Sequence, residues 1–306
     1  MDRFEDMRCF VQVVDQGSVT RAARAMSIAP SAVSRRIKDL EGRLGVQLLA
    51  RTTRRMSMTE HGQTFYDRCL RILADVEEAE SEVADANRAL AGSLRIAAPL
   101  SFGTAHLSAL ISAFVSRNPE LLIDLDLSDR LVDLVGEGFD LAVRIGTLRD
   151  SSLIARKLCD IRTVVCAAPA LIDRLGRPRT PEDLRDWPAL CYTGSERMDI
   201  WRYKAPDGTP GSVQVTVRMR ANNGTVLLDA AMAGLGVALQ PSFIVSDALE
   251  SGMLVPVLHS YQWPELGIYA VYPQTRHLSA RSRAFIDYLR EMIGPNPPWE
   301  RALDAF

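Results

Sequence analysis

Residues 29–45 read APSAVSRRIKDLEGRLG, in which two serines, two arginines and a lysine precede Asp39. Val33, Ile37, Leu40 and Leu44 recur at intervals of four, three and four, which predicts an amphipathic helix with one face buried. Pro30 suits its first turn, where the missing N–H would have gone unpaired anyway. Ser31, Ser34, Arg35 and Lys38 share a second face. Short hydroxyl side chains let a helix backbone lie deep in a groove, Arg can fork onto guanine edges, and Lys can meet phosphate. Taken alone, such a face also fits plain solvation, so its neighbours decide.

Upstream, Met7, Phe10, Val11 and Val14 define a first helix that Gly17 should end. Ser18 is a plausible N-cap for a shorter second helix, whose stripe Val19, Ala22, Ala23 and Met26 is narrow enough for close helix approach. Downstream, VQLLARTTRRMSMT has the pattern of a hairpin: apolar residues 46–49 and 56–58 flank a basic tip of Arg51, Thr52, Thr53, Arg54 and Arg55. A basic hairpin beside such a helix can put arginine into a narrow minor groove. Three helices and a basic hairpin make a winged helix-turn-helix.

Charge agrees with that reading. The formal net of -2 hides a segment, residues 18–58, with nine cations against two acids, or +7, followed by residues 61–91 with seven acids against three bases. The abrupt reversal points to an N-terminal unit that faces a polyanion.

Here the chain is similar to a known family. The run MRCFVQVVDQGSVTRAARAMSIAPSAVSRRIKDLEGRLGVQLLARTTRRMSMTEHG, residues 7–62, resembles the DNA-binding end of LysR-type transcriptional regulators almost without gaps. The resemblance implies a DNA-binding domain over 1–59 in which the helix from Pro30 to Leu44 reads the major groove and Ala22 and Ala23 pack the turn. Candidate contacts are then Ser18, Thr20, Pro30, Ser31, Ser34, Arg35 and Lys38 on the helices, and Arg51, Thr53, Arg54 and Arg55 on the wing. Val19 departs from the pattern, since an aromatic residue is usual there.

Residues 60–91 carry Phe65, Cys69, Ile72, Val76, Ala79, Val83, Ala86 and Leu90 at alternating intervals of four and three. This seven-residue repeat predicts a rod of roughly 45 Å whose seam meets a partner helix or packs on its own domain. The dimer is the stronger reading, because the helix is long and acidic on its other faces. The resemblance implies the same: paired linker helices, a homodimer or homotetramer, and an interrupted palindromic operator in double-stranded DNA.

From Gly92 the pattern alternates. SLRIAAP, LLIDLDLSD and DLAVRIG read as strands, and TAHLSALISAFVSRNPE and RLVDLVGEGF as helices, a succession expected of parallel β-α units. IRTVVCAAP begins a second set that runs through VQVTVRMR, TVLLDAAMAGLG and VALQP, before GIYAVYP and ARSRAFIDYLREMI add a last strand and helix. The content exceeds one small sheet, so the expected fold is α/β with two subdomains and a cleft. This half resembles the family's effector-binding domain, similar in fold to type 2 periplasmic solute-binding proteins, chiefly through GSLRIAAP, FDLAVRIG and NNGTVLLDAAMAGLGVALQP. The resemblance implies a regulatory domain over 92–306, with subdomain I near 92–161 and 267–294 and subdomain II near 162–266.

Two loop-to-helix junctions should face the cleft: Ser101, Phe102 and Gly103 after the first strand, and Asn222, Asn223, Gly224 and Thr225 before a helix of the second subdomain. Gly146, Thr147 and Leu148 should form a third wall. Helix starts favour anions, so a small carboxylate is the expected effector. Each of these residues also fits a plain cap or turn.

Other classes have less support. His61, His106, His259 and His277 are scattered, and no HExxH, GxSxG or phosphate-loop motif occurs, so no catalytic residue, cofactor or metal is expected. Cys9, Cys69, Cys159, Cys166 and Cys191 lie far apart, without a CxxC, and should be buried thiols, with a redox pair of Cys159 and Cys166 the lesser alternative. A solute-binding protein would leave the basic N-terminal unit unexplained and would need an export signal. Residues 1–10 do not have the form of one, and no apolar run is long enough to span a bilayer, so a cytoplasmic protein without membrane contact is expected.

Overall fold

The structure, a computed structural model, describes residues 2–51, 56–83, 90–147, 153–194, 197–274 and 278–305. The chain forms two compact units, Met1–Gly92 and Ser93–Phe306.

In the first unit α1 (Arg3–Gln16) starts at Asp2, whose carboxylate accepts from Phe4 N, and ends at Gly17, where φ is 57°. Ser18 caps α2 (Val19–Ala25), its Oγ accepting from Arg21 N at 3.4 Å. After a tight turn, α3 (Pro30–Leu44) has Pro30 in its first turn and Gly45 at its end. Phe10, Val13, Ala22, Ala23, Val33, Ile37 and Leu40 close one core among the three helices. Leu44, expected at the end of the buried stripe, is 37% exposed instead, because the helix ends there and no further turn covers it.

Strand β1 (Leu49–Arg51) pairs antiparallel with β2 (Met56–Met58), so the wing's first strand begins at the end of the expected apolar segment and not at Val46. Leu48 and Leu49 are buried in the same core, and the Glu41 carboxylate satisfies their N–H groups at 2.8 and 3.1 Å. Helix α4 (Glu60–Val83) follows, with Thr59 Oγ1 accepting from Gly62 N. Gly62 is a glycine for a steric reason: a Cβ there would lie 2.0 Å from the Leu48 carbonyl oxygen.

The second unit opens with β3 (Gly92–Ala98), the short α5 (Leu100–Phe102), a π turn Gly103–Leu107 and α6 (Ser108–Arg117). Then come β4 (Leu121–Leu127), α7 (Leu134–Glu137), β5 (Leu141–Gly146) and β6 (Leu153–Ile161). Helix α7 is shorter than RLVDLVGEGF implied, since Asp133 caps it and Gly138 ends it. A second set follows: β7 (Thr163–Ala167), α8 (Pro169–Leu175), a 3-10 turn Pro181–Asp186, β8 (Pro188–Tyr192), β9 (Ile200–Lys204), β10 (Pro210–Gln214) and β11 (Thr216–Ala221). It continues through α9 (Gly224–Met232), β12 (Val237–Pro241), α10 (Ser242–Glu250) and β13 (Val255–Pro256). Last are β14 (Leu266–Pro273), α11 (Ala280–Ile293), α12 (Pro298–Arg301) and a 3-10 turn Ala302–Ala305.

Two sheets result, β4-β3-β5-β14-β6 and β11-β8-β12-β7-β13, with β9 and β10 forming a separate hairpin. The expected parallel β-α pairing is present, β3 with β5 and β8 with β11 and β12, but β14 runs antiparallel to both its neighbours and β7 antiparallel to β12 and β13. The reversed strands carry the chain between sheets. Arg162 alone separates β6 of the first sheet from β7 of the second, and the chain returns between β13 and β14.

Candidate nucleic-acid interface and effector cleft

On α3 the cations divide by what they touch. Arg36 Nη1 donates to Glu5 at 3.0 Å, and Arg43 Nη2 lies 3.6 Å from the buried carboxylate of Asp6, so these two tie α3 to α1. Arg35 points the other way: its side chain is 82% exposed and only 3.8 Å contact with Asp39 restrains it. Ser31 and Lys38 are exposed beside it and Ser34 is half-buried, so the four residues form one accessible face. Pro30 and Thr20 are exposed and Ser18 is half-buried at its cap. Arg51 ends β1, while Thr53, Arg54 and Arg55 lie outside the described residues. Glu41 was not a candidate, yet it joins the last turn of α3 to the start of the wing. Its one sequence signal is that it is one of only two acids, with Asp39, in the basic segment.

The expected seam on α4 changes in its first turns. Cys69 is fully buried and Phe65 packs 5.6 Å from Phe10, ring centre to ring centre, so both belong to the core of their own unit. Burial pushes the Cys69 thiol up to about 12. Ile72 and Val76 are half-buried, Ala79 and Val83 follow on the same helix, Leu90 is half-buried beyond it, and Ala86 lies outside the described residues.

Within the second unit, residues from both sheets meet at one rim. Ser101 Oγ and Thr225 Oγ1 are 2.9 Å apart, and Asn223 Nδ2 donates to Ser101 Oγ at 3.2 Å and to Asp129 Oδ2 at 3.0 Å. Asp129 also accepts from Leu100 N at 3.0 Å, which holds the start of α5. Three candidates, Ser101, Asn223 and Thr225, are therefore brought together. Asn222 is exposed at the same turn and Gly224 is buried under α10. Gly146 ends β5, Thr147 follows it, and Leu148 lies outside the described residues.

Two expectations about this rim need correction. The first N–H groups of α9 are not open to an anion, because Asn223 Oδ1 accepts from Thr225 N and Val226 N at 3.0 and 3.2 Å. Phe102 does not turn its side chain to the rim, and Gly103 is buried beside it. Phe102 is fully buried against His106, Phe243 and Trp299, and a Cβ on Gly103 would meet Leu127 Cδ2 at 2.3 Å. Residues that sequence reasoning passed over fill the space behind the rim. His106, on the π turn, bonds the Phe243 carbonyl at 3.0 Å and packs tilted against Trp299, ring centres 4.4 Å apart. The i, i+4 spacing of Phe102 and His106 was the available signal.

Among the described residues no cluster of His, Cys, Asp and Glu could hold a metal ion. Burial pushes the thiols of Cys159 and Cys166 up to about 12, which leaves almost no reactive thiolate near neutral pH.

Comparison with known proteins agrees with this division of the chain. Residues 4–63 match the family of bacterial regulatory helix-turn-helix proteins of the lysR family, and residues 87–294 match the LysR substrate binding domain. The chain belongs to the LysR family. It is a transcriptional regulator, not an enzyme, with a DNA-binding helix-turn-helix and an effector-binding domain. The regulator PtxR of Pseudomonas aeruginosa is 38% identical to it over 288 residues, covering 94% of this chain and 92% of PtxR. DmlR of Escherichia coli is 35% identical over 294 residues, covering 96% and 95%. The structure of CrgA, a LysR-type regulator from Neisseria meningitidis, superposes with a TM-score of 0.61 at 33% identity, covering 95% of this chain and 98% of CrgA. Among the described residues no helix is long and apolar enough to cross a membrane.

Proposed function

We propose that this LysR-family regulator binds an interrupted palindrome as a dimer, placing α3 of each protomer in a major groove and residues 51–55 against the adjacent minor groove. The carrying observation is the partition of cations on α3, where Arg36 and Arg43 are held by α1 and Arg35 is left 82% exposed beside Ser31, Ser34 and Lys38. Two half-sites follow from two-fold pairing of the linker helices. Because Phe65 and Cys69 are used within their own unit, the partner seam runs through Ile72, Val76, Ala79, Val83, Ala86 and Leu90.

The effector is a small acid whose carboxylate takes donors from Ser101, Asn223 and Thr225. Hydroxyl and carboxamide groups of both subdomains already meet there, so a ligand that replaces their mutual bonds favours one arrangement over another, as a population shift requires. Asp129 sets a limit on charge: both its oxygens are engaged, yet a carboxylate at the rim disfavours a multiply charged ligand.

The test is footprinting on the promoter upstream of the protein's own gene at two salt concentrations. A salt-sensitive footprint over two half-sites is expected. Arg35→Ala should cost about 1–3 kcal/mol on the specific site and relax base preference at one position, whereas Arg54→Ala should lower the salt slope by about one unit. Equal weakening by Arg35→Ala on every sequence would remove the base-reading role.

A further inference from the structure

The C-terminal segment makes a third crossing between the two sheets. Helix α11 packs on α6 and β6 of the first subdomain, whereas α12 and the turn after it pack on α10, with Leu303 in the core of the second. On the way, the segment grips the place where the chain first crosses. The Glu300 carboxylate accepts from Arg162 N at 3.1 Å and from Arg162 Nε at 2.7 Å, and Ser242 Oγ donates to it as well. Arg162 Nη2 also donates to the Glu300 carbonyl and to Asp304 at 2.9 Å, and Ser242 N donates to the Arg162 carbonyl at 2.9 Å. One residue earlier, on the helix that packs on α10 of the second subdomain, the Trp299 ring meets the first, 4.4 Å from His106 and 5.8 Å from Phe102, while Phe102 in turn packs 5.4 Å from Phe243 on the second.

We infer that residues 298–305 are a strap that fixes the angle between the two effector subdomains, and that its engagement sets how far the cleft can open before any ligand binds. A hinge of one residue has few ways to resist rotation by itself. Glu300 supplies the resistance by holding both the backbone N–H and the guanidinium of that residue, so rotation about Arg162 must break charge-assisted bonds. The other end is held less firmly. The Trp299 indole N–H is buried without an acceptor, which offsets part of what its ring contacts contribute. The strap is therefore tight at the hinge and releasable at the aromatic cluster. This inference concerns the effector unit alone and does not depend on the effector's identity or on DNA binding.

Spin labels at Leu122→Cys and Met253→Cys test it in the whole chain, with labelled protomers diluted in an excess of unlabelled ones so that only distances within one protomer are read. Both positions are exposed, one on each subdomain, and the five native thiols are buried. Dipolar distance measurements should give one narrow distribution for the parent chain. Glu300→Gln and Trp299→Ala should each broaden it and add a second population, and Trp299→Phe should restore the narrow one. Amide exchange at Arg162 and Ser242 should rise in Glu300→Gln. A lowered melting temperature with an unchanged distance distribution would mean that the tail only adds stability, and would overturn the strap. So would a narrow, parent-like distribution in a chain ending at Pro297. If that shortened chain does not fold, the point variants decide.

Discussion

Replacing Glu41 should loosen the wing while leaving the three helices in place. Its carboxylate receives the N–H groups of Leu48 and Leu49 at 2.8 and 3.1 Å, and both leucines are buried. A hydrogen bond to a charged acceptor contributes about 1.5–3 kcal/mol, so two such bonds set a ceiling of about 3–6 kcal/mol. Glu41 is half-buried, so water can reach part of the vacated space, and alanine is a slightly better helix former. The expected cost of Glu41→Ala is therefore about 2–4 kcal/mol, expressed locally in residues 47–51. Glu41→Gln keeps an uncharged acceptor and should cost about half as much. Amide hydrogen exchange reads this directly: protection at Leu48 and Leu49 should fall by about 30- to 1,000-fold in the alanine variant. Amides in the middle of α1 should be unaffected. If protection at Leu48 and Leu49 changed by less than about threefold, the carboxylate would not be what anchors the wing, and the reasoning would fail.

Two further outcomes follow from neighbouring geometry. Gly62→Ala places a Cβ 2.0 Å from a backbone oxygen that Thr59 N also holds, so calorimetry should show the DNA-binding unit destabilised by about 2–3 kcal/mol; stabilisation by the usual helix preference of alanine would contradict that close approach. Glu137 is held down to about 2 from 4.5, first by its hydrogen bond from Arg130 at 2.7 Å and then by the Asp133 backbone. A depressed folded value gives a contribution present above about 4.5 and lost as pH falls toward 2. A carboxyl-resolved titration should find this group there, and Arg130→Ala should return it toward the ordinary range; an unmoved midpoint would rule out the pair as cause.

What the sequence revealed and what it hid separate by range. Helices α1, α2 and α3 were legible because Gly17, Ser18, Pro30 and Gly45 act within a turn of themselves and the apolar stripes are periodic. The start of β1 was misplaced because a carboxylate on α3, seven residues away, holds residues that alternation alone would assign to a strand. Asn223 read correctly as lying at a helix start, but only coordinates tell that its oxygen occupies the N–H groups an anion would want. Asp129 and Trp299 went unseen because Asn223 and His106, the partners that tie them to the rim and the cluster behind it, lie about a hundred residues or more away in the chain, and His106 offered only its spacing from Phe102. The prolines before α12 mark the end of α11 well enough. A single helical turn after them has no repeat by which to recognise a strap.

The division of cations on α3 also changes how the +7 count should be used. Arg36 and Arg43 lie inside the basic segment, yet their partners Glu5 and Asp6 lie upstream of it, so a window drawn by charge sign alone includes two cations already neutralised by the fold. Each phosphate contact carries about 0.9 of a unit in the dependence of log affinity on log salt, so treating both as DNA contacts would overstate the slope by about 1.8 per protomer. The same two pairs hold the recognition helix against α1. Acids outside the basic segment thus hold the helix and leave Arg35 exposed beside Ser31 and Lys38.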